Sequence, residues 1–163
     1  MTTLNSVEFN YIGIIHTPFT TLDDMPIQPG GASGVSGTLV LDPGLEEGLV
    51  DLDGFSHIYV IFHLHKTHPY RLTVTPFLDT NAHGLFATRA PSRPNPIGLS
   101  IVRLIAVNAN VLSIENVDML DGTPVLDIKP YVPFFDEQKT VRIGWLTGLK
   151  DRARTIRTDG RFK

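Results

Sequence analysis

Residues 55–65 carry the clearest pattern in the chain: Ile58, Val60, Phe62 and Leu64 are apolar at the even positions, and His57, Tyr59, Ile61, His63 and His65 fill the odd ones. Alternation of period two sends successive side chains to opposite faces, so the segment predicts a strand with one dry face and one polar, histidine-bearing face. Residues 9–16 read as a further strand, ended by Thr17-Pro18, where the residue before proline is pushed toward extended geometry. Residues 37–41 offer a brief strand, and 43–50 one or two helical turns with Pro43 near their start. In 71–78, Arg71, Thr73 and Thr75 alternate with Leu72 and Val74, and Pro76 marks an edge or bulge. Residues 85–88 form a short apolar stretch, while 97–107 make a long β-branched strand that is mostly hydrophobic on both faces. A turn at 108–110 feeds a hairpin partner at 111–117, and a last strand at 125–128 follows the turn at 120–124. Residues 141–149 fit strand and helix equally. Six or more strands at intervals near ten residues, with little helix, predict a mainly β fold: a small closed or nearly closed antiparallel barrel.

Composition narrows the class. A chain of 163 residues supports one domain with a good core. With 42% hydrophobic and 19% charged residues it reads as a globular protein, and no apolar run approaches the roughly 20 residues that cross a bilayer. The first eight residues lack the basic and apolar regions of a secretion signal, so a cytoplasmic location is expected. The absence of cysteine excludes disulfides, thiolate metal sites and cysteine nucleophiles. Gly and Pro cluster in residues 17–36, a loop too long and too rich in them for an ordinary turn. The net charge of −3 is unevenly placed: residues 139–163 carry +6, and residues 1–138 carry −9. The division expected is a barrel over 1–138 followed by a short basic segment over 139–163, which either packs on the acidic body or contacts phosphate.

Three groups of residues could carry chemistry. His57, His63 and His65 share a strand face, with His68 and His83 nearby, but a metal centre would need a carboxylate or another histidine at the following turn. No Glu lies between Glu47 and Glu115, so no metal is assigned and the histidines read as the polar lining of a pocket or interface. The run Thr88-Arg89-Ala90-Pro91-Ser92-Arg93-Pro94-Asn95-Pro96 has few backbone states, because each proline fixes its own φ and restricts its predecessor. Such a loop holds guanidinium forks firmly enough to receive a carboxylate or phosphate. The run from Asp118 to Tyr131 contains Asp121-Gly122-Thr123, a tight turn that would turn its backbone N–H and carbonyl groups outward, and it places Asp127 and Lys129 on one strand face.

Together these segments resemble a known family. Asp53-Gly54-Phe55-Ser56-His57-Ile58, then Gly84-Leu85-Phe86-Ala87-Thr88-Arg89 with the arginine-proline run through Ser100, then residues 120–131, are similar in order to the TsaA-like or TrmO family of S-adenosylmethionine-dependent tRNA methyltransferases. The ending Thr158-Asp159-Gly160-Arg161-Phe162 resembles the family's C-terminus. The resemblance implies a small β-barrel that forms a homodimer with the cofactor near the subunit interface. It also implies N6-methylation of threonylcarbamoyladenosine at position 37 of tRNA. It implies cofactor contacts at Pro29, Gly30, His65, Lys66, Arg89, Leu99 and the turn Asp118, Met119, Leu120 and Asp121. Lys129 and Tyr131 are implied beside the reacting centre, and one of them, with its pKa lowered, is the expected proton acceptor, with His65 as the competitor. Arg93, Arg152 and Arg154 are candidate RNA contacts. A non-catalytic S-adenosylmethionine sensor and a histidine-metal barrel enzyme are the alternative readings.

Overall fold

The computed structural model describes residues 5–23, 25–159 and 162. Eight strands are formed: β1 Gly13–His16, β2 Ser36–Leu41, β3 His57–His63, β4 Thr73–Val74, β5 His83–Gly84, β6 Ile97–Asn108, β7 Val111–Glu115 and β8 Thr123–Pro130. Six of them close an antiparallel barrel in the order β1-β2-β7-β6-β3-β8, and β4 and β5 form a separate two-stranded sheet. The alternation read in residues 55–65 holds: Ile58, Val60 and Phe62 are buried and the odd positions are half-buried. The core is completed by Ile15, Leu39, Val102, Leu112, Ile114 and Val125.

β6 is apolar on both faces, as read, but only one of them is buried. Gly98, Ser100, Val102 and Leu104 turn inward, and Ile97, Leu99, Ile101 and Ile105 stay exposed on the outer face. Residues 71–78 pair only at Thr73–Val74, because Pro76 cannot donate to a ladder. Residues 85–87 form a 3-10 turn rather than a strand, and 141–149 are neither strand nor α-helix but contain a 3-10 turn at Gly144–Leu146. Two α-helices follow the barrel, α1 Pro133–Asp136 and α2 Lys150–Thr155. No helix among the described residues is long and apolar enough to cross a membrane.

Gly98 faces Phe62 across the β3–β6 ladder. A Cβ at this position would overlap the buried Phe62 ring, so only glycine leaves room for it. Gly98→Ala is expected to cost about 3 kcal/mol by overpacking. The measurement is a denaturant midpoint, and Phe62→Leu in the Gly98→Ala background should recover part of the loss; an unchanged midpoint for Gly98→Ala would refute the constraint.

The antiparallel order sends three long connections, 17–35, 64–96 and 116–122, to one end of the barrel. The chain leaves β8 at the other end and then returns. Trp145 stacks on His83 with ring centroids 4.4 Å apart and donates from Nε1 to the Ala87 carbonyl at 2.9 Å. Beyond it, Ala153 accepts from Gln28 Nε2 at 3.0 Å, Arg157 Nη2 donates to Gly31, and Thr158 exchanges hydrogen bonds with Met25. The stretch 150–158 thus fastens the loop that carries Pro29 and Gly30.

Candidate functional site

Residues 116–122 close the loop end of the barrel. Val117 and Met119 are fully buried, and Asp118 lies between them on the side of β6 that carries Ser100. There it accepts a 2.7 Å hydrogen bond from the hydroxyl of Ser100, a buried residue at an inward position of β6. Burial pushes the Asp118 carboxyl up to about 6, and the Ser100 hydroxyl and the Arg89 guanidinium hold it from going further. Arg89 lies within electrostatic range without closing an ion pair: among the described residues Asp118 has no salt-bridge partner. The arginine-proline segment and the aspartate bend therefore meet at one place.

The bend itself is tied down. Asp121 N–H donates to Phe19 at 2.7 Å and Gly122 N–H to Ile15 at 2.9 Å, so these groups face the barrel and not outward as the turn sequence suggests. Gly122 takes φ +76°, which its lack of a Cβ permits. The Met119 and Leu120 carbonyls accept from the hydroxyls of Thr17 and Thr123 at 2.9 and 2.7 Å. The exposed Asp121 carboxylate accepts from Thr17 N–H at 3.1 Å and approaches His16 at 3.3 Å, and these bonds, led by Thr17, hold it below the ordinary carboxylate range. His16 and Thr17 also border an open groove of about 550 Å³ lined by Thr38, Ser113, Glu115 and Ile105.

The arginine-proline segment is internally braced. Thr88 Oγ1 donates to Leu85 at 2.8 Å, and Arg93 Nη1 reaches the carbonyls of Thr88 and Ala90 at 3.0 and 3.1 Å. Arg93 is thus part of the scaffold of its own loop, while Arg89 stays exposed. His65 follows β3 at the same end, and burial is the main force pushing its imidazolium pKa down, with the Lys66 charge adding to it. Lys66, next to it in sequence, is exposed. Pro29 and Gly30 lie in a 3-10 turn against α2, with open space above Gly30.

Not every residue singled out in the sequence faces this site. Leu99 is 54% exposed on the outer face of β6, opposite in direction to its neighbour Ser100. Lys129 and Tyr131 lie toward the other end: Lys129 is six residue steps along β8 from Thr123, about 20 Å. Lys129 pairs with Asp127 at 2.7 Å as their shared face requires, far from the bend. Tyr131 donates to Glu137 at 3.2 Å, and desolvation followed by Glu137 raises its pKa. Lys129, Tyr59 and Ile101 nevertheless share register across β8, β3 and β6, on the outer face that also carries Leu99. Arg152 and Arg154 are in α2, Arg152 exposed and away from Asp118's immediate partners. Gly160 and Arg161 of the C-terminal motif lie outside the described residues.

The histidines do not gather. His63 Nδ1 lies 2.7 Å from the Tyr11 hydroxyl, His57 bonds Ser56, and His83 bonds Asp79 at 2.8 Å. Among the described residues no group of three or more His, Asp or Glu is placed to hold a metal ion. Sequence reasoning missed Ser100 and Thr17. Ser100 was findable as the polar member of the inward series Ser100, Val102, Leu104; Thr17 carried no signal beyond preceding a proline.

Comparison with known proteins adds the remaining observations. A family model described as the tRNA-methyltransferase O N-terminal domain matches residues 14–137. A protein of Pyrococcus abyssi named as a probable S-adenosyl-L-methionine-binding protein is 52% identical over 151 residues, covering 93% of this chain and 82% of its own. The tRNA (adenine(37)-N6)-methyltransferase of Escherichia coli is 39% identical over 141 residues, 80% of this chain and 60% of its own. The crystal structure of TrmO from Pseudomonas aeruginosa superposes with a TM-score of 0.73 at 38% identity, covering 86% of this chain and 63% of that one. The chain spans about three fifths of the Escherichia coli enzyme and of that solved structure.

Proposed function

The chain belongs to the tRNA-methyltransferase O N-terminal domain family, and from that premise we propose that it is an S-adenosylmethionine-dependent tRNA methyltransferase. Its proposed substrate is N6 of the threonylcarbamoyl-modified adenosine at position 37, beside the anticodon. The observation that carries the reading is the meeting of Asp118, without an ion-pair partner, and the exposed Arg89 at the loop end. A ligand bearing an ammonium, a carboxylate and a sulfonium fits that pair of charges. Asp118 would face the cationic groups and Arg89, aided by Lys66, the carboxylate. Pro29 and Gly30, with the Met119, Leu120 and Asp121 backbone, would border the adenosine. When bound, the cofactor supplies a methyl group on an already positive sulfur.

The chain's own residues then need only orient N6 in line with that methyl group, exclude water and accept one proton. The N6 lone pair is shared with the ring and the ureido carbonyl, so proton removal helps. His65 suits this step, because burial keeps its imidazole neutral and it lies at the loop end. Tyr131, with its pKa raised, acts as a hydrogen-bond donor and not as the base. His65→Gln is expected to lower kcat on the order of 100-fold while leaving the cofactor dissociation constant within about threefold. An unchanged kcat would remove His65 from proton transfer.

The apolar stripe Ile97, Leu99, Ile101 and Ile105 on a barrel strand supports a homodimer formed through the outer face of β6 and β3. In a dimer of that kind Lys129 and Tyr131 of a second copy would be available to the cofactor end of the first, because Lys129 and Leu99 share the outer face. The deciding experiment incubates the protein with S-adenosylmethionine and tRNA bearing threonylcarbamoyladenosine, then measures nucleosides by mass spectrometry. Gain of one methyl group on the modified adenosine, undiminished by a chelator, is expected. Cofactor binding without methylated product would establish the sensor instead, and loss of activity to the chelator the metal-dependent alternative.

A further inference from the structure

Phe86 presents 74% of its surface to solvent. A lone exposed aromatic is unremarkable in general, but everything around this one holds it rigidly in that position. Leu85 beside it is buried at 1% exposure, and the Ala87 carbonyl after it is held by Trp145. Thr88 closes the turn with its N–H and hydroxyl both on Leu85. The Arg93 guanidinium lies over the ring, 5.8 Å from its centroid, and is itself fixed by two carbonyls of the loop. A flat ring and a flat cation thus lie together on the surface of the loop; Phe86 is three residues from Arg89, at most about 10 Å along the chain.

The surroundings state what would cover it. Residues 64–96 carry Lys66, Arg71, Arg89 and Arg93 against the single acid Asp79, which is paired with His83, while the chain as a whole is at −3. The segment that supplies Trp145 adds Lys150, Arg152 and Arg154 against Asp151. An aromatic face within a cationic patch on an otherwise acidic protein matches a polyanion with planar groups, which is single-stranded RNA. Resting on the methyltransferase reading, we propose that Phe86, backed by Arg93, is a stacking platform for an unpaired nucleobase of the anticodon loop, next to the adenosine that is methylated.

The test uses the full chain and threonylcarbamoylated tRNA with three variants. Phe86→Ala is expected to raise KM for tRNA about tenfold or more, the loss typical of one base–aromatic stack. kcat at saturating tRNA, cofactor affinity by calorimetry and the melting temperature should stay near wild type. Phe86→Trp should restore KM, because it restores a π-face, and Phe86→Leu should not, although it keeps apolar area. A leucine variant as good as wild type, an alanine variant with unchanged KM, or a KM loss accompanied by a change of oligomeric mass would each overturn the platform. Wild-type protein that neither binds nor methylates the tRNA would overturn the methyltransferase reading and the platform with it. Wild-type activity with an indifferent Phe86→Ala overturns the platform alone.

Discussion

Asp118→Asn is expected to make the ligand-free protein more stable at pH 7.5 and nearly unable to hold its cofactor. The folded chain raises this carboxyl from 3.8 to about 6, so ionisation costs more in the folded state than in the unfolded chain. The stability associated with the protonated carboxyl is fully present below pH 3.8 and is lost as pH rises through about 6. The upper bound on that loss is about 3 kcal/mol for a shift of this size. Asparagine keeps an acceptor for the Ser100 hydroxyl and removes the buried charge. The gain in unfolding free energy should therefore appear at pH 7.5 and vanish near pH 4, read by denaturant melts at both pH values. Cofactor affinity should fall on the order of 100-fold by calorimetry, since a buried anion facing a cation loses several kcal/mol when truncated. A variant that is less stable at pH 7.5, or that binds the cofactor as before, contradicts this role.

The second large effect concerns which copy supplies Lys129. Within one chain this side chain lies toward the barrel end opposite Asp118, yet it shares the outer face with Leu99. If each site draws Asp118 from one copy and Lys129 from the other, Lys129→Ala and Asp118→Asn should each abolish methylation alone. Mixing and re-equilibrating them 1:1 should then restore about a quarter of wild-type activity. Half the dimers are then mixed, and each has one intact and one doubly defective site. No recovery on mixing means that both residues act within a single chain, or that Lys129 has no part in the site.

Much of this arrangement was legible before any coordinates. The β3 alternation and the hairpin at 108–110 required only period two and turn chemistry, and antiparallel closure followed from strand number and spacing. Residues 85–88 misled because an apolar quartet has no period; Leu85 goes into the core while Phe86 does not, which a turn allows and a strand pairing would not have needed. The two apolar faces of β6 were read from its sequence, and the closed barrel shows that among the described residues one of them stays uncovered. Arg89 lies near enough to act on the Asp118 carboxyl, and the Asp121-Gly122 amides face the barrel because β1 ends beside them; both are long-range placements that no local pattern contains. The opposite placement of Tyr131, and the direction of its pKa, likewise depend on Glu137 and on barrel height, which sequence separation does not encode.

The closed barrel also dictates an order of assembly during synthesis. β1 pairs with β8, Gly13 against Val125, so the earliest strand to emerge from the ribosome waits for more than a hundred residues before its second edge is satisfied. The loop bearing Pro29 and Gly30 waits longer still, until 150–158 arrive to bind Gln28, Gly31 and Met25. Such non-local pairing makes for slow folding. A nascent chain can therefore close its hydrophobic interior before the loop bearing Pro29 and Gly30 is fastened by residues 150–158.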